Sequence, residues 1–174
     1  MAITKIQSES LNLADTYDFT GTVTGAGGDN TPAFEAYDTS TQTISDYTFT
    51  KLDFATENFD TDSNFDNSAM RFTPTTSGKY FLFAKAEFDP NGYEDMRTAE
   101  LVFYKNGSIV TYTNSRFFPV GNTTGGTGAT PFISAIISLN GSSDYVEVYG
   151  RINTLDNSNG GVFNSSFGAY KIIE

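Results

Sequence analysis

Residues Asp60-Thr61-Asp62-Ser63-Asn64-Phe65-Asp66 put oxygen-bearing side chains at alternate positions, as at the start of a calcium-binding hand. The pattern is incomplete. A hand needs glycine at its sixth position and an acid at its twelfth, and Phe65 and Arg71 stand there. Asp and Asn side chains also close turns on their own backbone. The stretch is therefore expected to be an Asx-turn loop. On the alternative reading Asp60, Asp62, Asn64 and Asp66 are calcium ligands. No cofactor is expected.

Other candidate chemistry is thinner. Glu94 and Asp95 are adjacent acids beside Asn91-Gly92. Paired acids are the raw material of a glycosidase, but nothing apolar nearby would raise one pKa to make a general acid. A solvated loop tip is expected. Serines are plentiful, yet the chain has no histidine to activate one and no nucleophile elbow. Gly125-Gly126-Thr127-Gly128 lacks the lysine and helix of a phosphate loop. Cysteine is absent too, which removes disulfides and thiol chemistry. The sequons at Asn106, Asn122, Asn140 and Asn164 fit Asn-rich turns at least as well as glycosylation. No catalytic residue is assigned, and the chain is expected not to be an enzyme.

Any such residues must be held by a scaffold, and composition bounds it. The 174 residues are one domain's worth, long enough to bury a core. Net charge is -11, so a duplex nucleic acid would be repelled. Sixteen Phe and ten Tyr, with many Thr, Ser, Asn and Gly, favour strands and turns over helices. No apolar stretch is long enough to span a membrane, and the N-terminus lacks a signal peptide's basic and apolar segments. The expectation is a protein made in a cytoplasm, or one whose leader has already been removed.

The stretch Phe54–Phe88 organises the chain. An acidic, aromatic-spaced loop leads to turns at Thr73-Pro74 and Ser77-Gly78 and then to a strand. After Gly78, residues Tyr80, Leu82, Ala84, Ala86 and Phe88 share one face, and Phe81 and Phe83 lie on the other. Such a strand needs two partners, its own core and a second surface. Further strands are expected at Ala33–Tyr37, Tyr47–Phe54, Thr98–Tyr104, Phe132–Leu139, Asp144–Ile152 and Val162–Ile173, with another within Tyr112–Val120. Asn106-Gly107 is a hairpin turn. Strands at this spacing describe an all-β antiparallel sandwich or jelly roll. Residues 1–31 differ. Leu11, Leu13, Tyr17, Phe19 and Val23 are scattered among polar residues before a Gly25–Gly28 joint. They are expected to form an extended arm that orders against a partner, and 32–174 to form the domain.

Phe54, Asp60, Phe65, Phe72, Gly78 and Tyr80 stand in the order and spacing of the signature of the complement C1q globular head, a domain that resembles tumour necrosis factor in fold. Leu82 and Ala84 stand where that family usually has aromatics. Tyr104–Ser108, Ser138–Gly141, Asp144–Val148 and Phe167–Tyr170 resemble its later strands and turns. The resemblance covers about Pro32 to the C-terminus. It implies a tumour necrosis factor-like jelly roll that associates around a three-fold axis.

Leu11–Asp15 with Phe19–Gly25 resembles the arms that precede head-domain modules in phage fibre and decoration proteins. The function expected is that of a bacteriophage virion structural protein. It would be a homotrimer displayed on the particle surface as a capsid decoration, head fibre or tail-fibre module. Its arm would hold other virion proteins, and its loops would meet a host surface glycan or protein. The alternative is a secreted complement-type module recognising proteins or glycans, which usually carries a leader and a collagen stalk.

Overall fold

A computed structural model describes residues 30–91, 96–118 and 128–173. These form thirteen strands and no helix. In chain order they are β1 (Ala33–Asp38), β2 (Gln42–Ile44), β3 (Thr50–Lys51), β4 (Thr56–Asp60), β5 (Phe65–Asp66), β6 (Arg71–Phe72), β7 (Gly78–Asp89), β8 (Met96–Lys105), β9 (Ser108–Ile109), β10 (Ser115–Phe117), β11 (Phe132–Leu139), β12 (Val146–Thr154) and β13 (Gly160–Ile173). Two antiparallel sheets face each other. Sheet A runs β11-β7-β13-β1-β4, with β2 also on β13, and sheet B runs β10-β8-β12-β6-β5, with β3 on β12 and β9 on β8.

Period-two alternation fills the space between them. Tyr80, Leu82, Ala84, Ala86 and Phe88 of β7 all point inward and are fully buried. Ala99, Leu101 and Phe103 of β8 meet them from sheet B, with Val146, Val148 and Ile152 of β12. Rings dominate the centre. Phe34 stacks on Phe65 with centroids 4.7 Å apart and meets Phe167 edge-on at 4.9 Å. Each buried Phe contributes about 1.5–3 kcal/mol by burial, and each favourable ring pair about 0.5–1.5 kcal/mol more.

Two local expectations are corrected. Tyr47–Phe54 is not one strand, because only Thr50–Lys51 pairs, against Gly150 and Tyr149 of β12. Tyr47 lies in a turn at φ 52°, held there as its amide donates to the Ile152 carbonyl at 2.7 Å. The chain then dips under sheet B and buries Leu52 and Phe54. The acidic stretch before Gly78 is also more than a loop. It contributes β4, which pairs with β1, and the short pair β5–β6. β4 is exposed along most of its length, so backbone pairing and not side-chain burial makes it a strand.

Candidate interaction surfaces

Four of the six signature residues come together within the sandwich. Phe54, Phe72 and Tyr80 are fully buried and Phe65 nearly so. The Tyr80 hydroxyl donates to the Thr76 carbonyl at 2.6 Å, and burial pushes this phenol up to about 12. Gly78 takes φ 155°, backbone that side-chain-bearing residues rarely adopt, where the turn passes into β7. Asp60 accepts from the Phe65 amide at 2.8 Å and the Asp62 amide at 3.3 Å. Its carboxylate therefore sets the loop that delivers Phe65 to the core.

The remaining oxygens of that loop are engaged in the same way. Asn64 is buried, its Oδ1 accepts from the Thr75 amide at 2.8 Å, and its Nδ2 donates to the Asp62 carbonyl at 2.7 Å. Asp66 turns away and accepts from the amides of Ser68 and Ala69, both at 2.9 Å. A bond from the Ser68 hydroxyl, together with those two, holds its carboxyl below the usual range. Asp60, Asn64 and Asp66 thus hold turns and the Asp62 carboxylate accepts from the Thr61 hydroxyl at 2.7 Å, and among the described residues no group of three or more acids is placed to hold a metal. Glu94, Asp95, the arm residues Leu11, Leu13, Tyr17, Phe19 and Val23, and the glycine-rich loop up to Thr127 lie outside the described residues.

The outer face of sheet A carries an apolar row at one end. Ile136, Phe81 and Tyr170 are neighbours across β11, β7 and β13. The Phe81 ring lies 5.4 Å from that of Tyr170 and 6.4 Å from that of Phe83. Phe83 covers Gly168, where an added Cβ would come within 2.4 Å of the ring. Ile136, Tyr170, Ile172 and Phe132 are exposed although large and apolar. Alternation in the sequence points to Phe81 and Phe83. It misses Ile136 and Tyr170, which only the strand register brings beside them.

The same face turns polar toward the other end of β7. There Tyr37, Asp38, Lys85, Glu87, Asn164 and Ser166 line an open cleft of about 410 Å³. Asn164 sits at φ 47° in the β13 bulge and donates to Glu87 Oε2 at 3.0 Å.

The outer face of sheet B is built differently. Glu100 on β8 pairs across the ladder with Arg151 of β12 and Arg116 of β10. Both guanidinium groups form ion pairs with its Oε2, that from Arg116 at 3.6 Å. The Arg151 guanidinium lies between two rings, 4.7 Å from the Tyr47 centroid and 4.4 Å from that of Phe49, and Arg116 lies 5.2 Å from that of Phe118. Tyr104 and Tyr149 stack beside them with centroids 3.9 Å apart. Burial raises both phenols above their ordinary value.

The chain matches no family model and no curated protein. Solved structures do match. The globular domain of zebrafish complement 1qA protein superposes with a TM-score of 0.57 at 13% identity, covering 82% of this chain and 98% of that one. Eiger TNF from S. frugiperda gives 0.59 at 12% identity, covering 82% and 92%. Murine APRIL gives 0.56 at 12%, covering 80% and 98%. The fold is the complement C1q and tumour necrosis factor jelly roll. At these identities the likeness is one of fold. Within that jelly roll the signature is structural, since its aromatics fill the sandwich and Asp60 shapes the loop feeding it. Among the described residues, the outer face of sheet A offers an apolar row and that of sheet B a cationic-aromatic cluster.

Proposed function

We propose that this chain is a homotrimeric, surface-displayed jelly roll of a bacteriophage virion, a capsid decoration, head fibre or tail-fibre module anchored by its N-terminal arm. The observation that carries the trimer is the apolar row Ile136–Phe81–Tyr170 on the outer face of sheet A. Large apolar side chains left exposed in a cluster mark a surface that another molecule covers, and obligate interfaces are rich in aromatic area. The three-fold association implied by the C1q resemblance supplies that molecule, a second and third copy. Sheet A then faces the axis and sheet B faces solvent. The chemistry is one of attachment and display, without a catalytic group, metal or cofactor. Nucleic acid and membrane insertion have no part in it.

The virion assignment rests on the arm. Leu11, Leu13, Tyr17, Phe19 and Val23 need a partner to bury them, and the resemblance of the arm to those of phage fibre and decoration proteins supplies one. The domain beyond the joint has its own core, so stability and attachment should separate. Full-length protein and a form beginning at Thr31 are added to particles lacking the native copy and pelleted. The full-length form is expected to co-sediment and the truncated form, still folded and trimeric, to stay in the supernatant. Equal co-sedimentation would place the anchor on the jelly roll. A truncated form that does not fold would place the arm in the trimer core. The second reading is a secreted complement-type binding module for proteins or glycans, which shares this fold. A mass-spectrometric inventory of purified virions separates the two.

A further inference from the structure

The protein is strongly acidic, yet the outer face of sheet B hides its acids and presents its cations. The Glu100 side chain is 7% exposed, whereas that of Arg116, resting on it, is 35% exposed. Two rows away along β12, Glu147 is 8% exposed under Lys51 at 36%. Asp46, beside Tyr47 in the chain, turns its carboxylate to the Thr154 amide at 2.7 Å. Asn114 donates to the second oxygen of Glu100, so that carboxylate is saturated from within the protein. A solute meeting this face therefore meets guanidinium and ammonium groups on a chain whose net charge is -11.

The cations are set between exposed rings. Tyr47 and Phe118 are each 59% exposed, and each has a guanidinium close to its ring. Tyr47 is held at φ 52°, a conformation costly for a bulky residue and kept here by the hydrogen bond of its amide to Ile152. The ring is thus fixed over Arg151 by both backbone and side chain. Arg151 spends its Nε and a terminal nitrogen on Glu100. Arg116 comes nearest to Glu100 through Nε, at 3.6 Å, and its guanidinium is held by this ion pair more loosely than that of Arg151. A guanidinium fork matches a carboxylate with two parallel hydrogen bonds, and a flat ring accepts the C–H face of a sugar.

We propose that this face, where Arg116 lies against Phe118 and Arg151 against Tyr47, binds an acidic saccharide through its carboxylate, held by Arg116. The fork holds the carboxylate and the rings receive the apolar faces of the sugar units. An extended acidic peptide would use the free edge of β10 instead, but that edge is only three residues long and the rings stand on the sheet face. The assignment gives the display reading above its ligand class, and it rests on that reading in one respect, that sheet B faces outward in the assembly.

The test measures binding of full-length protein to a panel of sialate- and uronate-bearing oligosaccharides, their carboxyl-reduced neutral counterparts and a polyglutamate peptide. Mass by light scattering and melting temperature are recorded on the same samples. Carboxylated oligosaccharides are expected to bind, more weakly as salt is raised, with the neutral forms about tenfold weaker or worse. Arg116→Ala should lose about tenfold in affinity, and Arg116→Lys most of the same, because a lysine keeps the charge but not the fork. Mass should not change. Failure of every carboxylated oligosaccharide to bind, or equal binding of the neutral forms, overturns the proposal. So does polyglutamate binding as tightly as the saccharides, which would assign an acidic protein partner. A drop in mass on Arg116→Ala would make sheet B the subunit interface and overturn the outward orientation. Should Arg116→Ala fail to fold, Phe118→Ala gives the same readout, and unchanged affinity there overturns the proposal too. None of these outcomes touches retention of the arm on particles, so the two readings fail separately.

Discussion

The Phe34 ring of sheet A stacks on the Phe72 ring of sheet B, with centroids 4.7 Å apart and planes 23° from parallel. β6, which carries Phe72, is two residues long and pairs with β12 only at Val146. It also pairs with β5 through Phe65 and Asp66, so ladder and ring together place it. Tyr80 closes the group edge-on at 5.5 Å.

Phe72→Ala should destabilise the fold by about 3–5 kcal/mol, through lost burial and the cavity left between two sheets that cannot collapse onto it. Chemical denaturation checks this, and an unchanged midpoint would remove Phe72 from the centre of the core.

Gly78→Val should also lower the denaturation midpoint. At φ 155° a β-branched side chain meets the strain that glycine avoids, and the turn into β7 must shift. A midpoint equal to that of the parent would show the turn adapting freely.

Tyr80 makes stability fall at alkaline pH. Its phenol is raised to about 12 in the fold against 10.0 ordinarily, so the folded state holds its proton after the unfolded state has lost it. The contribution is complete below pH 10 and is lost as pH rises toward 12. Phenolate absorbance should show tyrosines titrating above the ordinary value, Tyr104 and Tyr149 among them, and Tyr80→Phe should remove the latest step. An unaltered titration curve in Tyr80→Phe would contradict the assignment.

Chelation should leave the melting temperature unchanged, because Asp60, Asn64 and Asp66 already serve backbone amides. A clear drop with chelator, restored by calcium, would turn these residues and Asp62 from turn formers into ligands.

Much of the sandwich is legible in the sequence because it obeys simple periods. The inward set of β7 follows from alternation after Gly78, and Asn106-Gly107 turns as expected, with φ 52° and 77°. β4 is not legible, since Thr56–Asp60 has no buried apolar set and becomes a strand only by pairing with β1. Tyr47 is misread for a related reason, as a tertiary hydrogen bond decides its backbone. The surfaces are the least legible. Alternation assigns Phe81 to an outer face, but only register sets Ile136 and Tyr170 beside it. Arg116, Glu100 and Arg151 lie on three strands and carry no local signal.

Light scattering of the full-length protein at micromolar concentration tests the central claim most directly. With the row Ile136–Phe81–Tyr170 buried between subunits, the measured mass should be three times that of the chain. A monomer would contradict the account, leaving the apolar face of sheet A without the partner on which the trimer and its outward display depend.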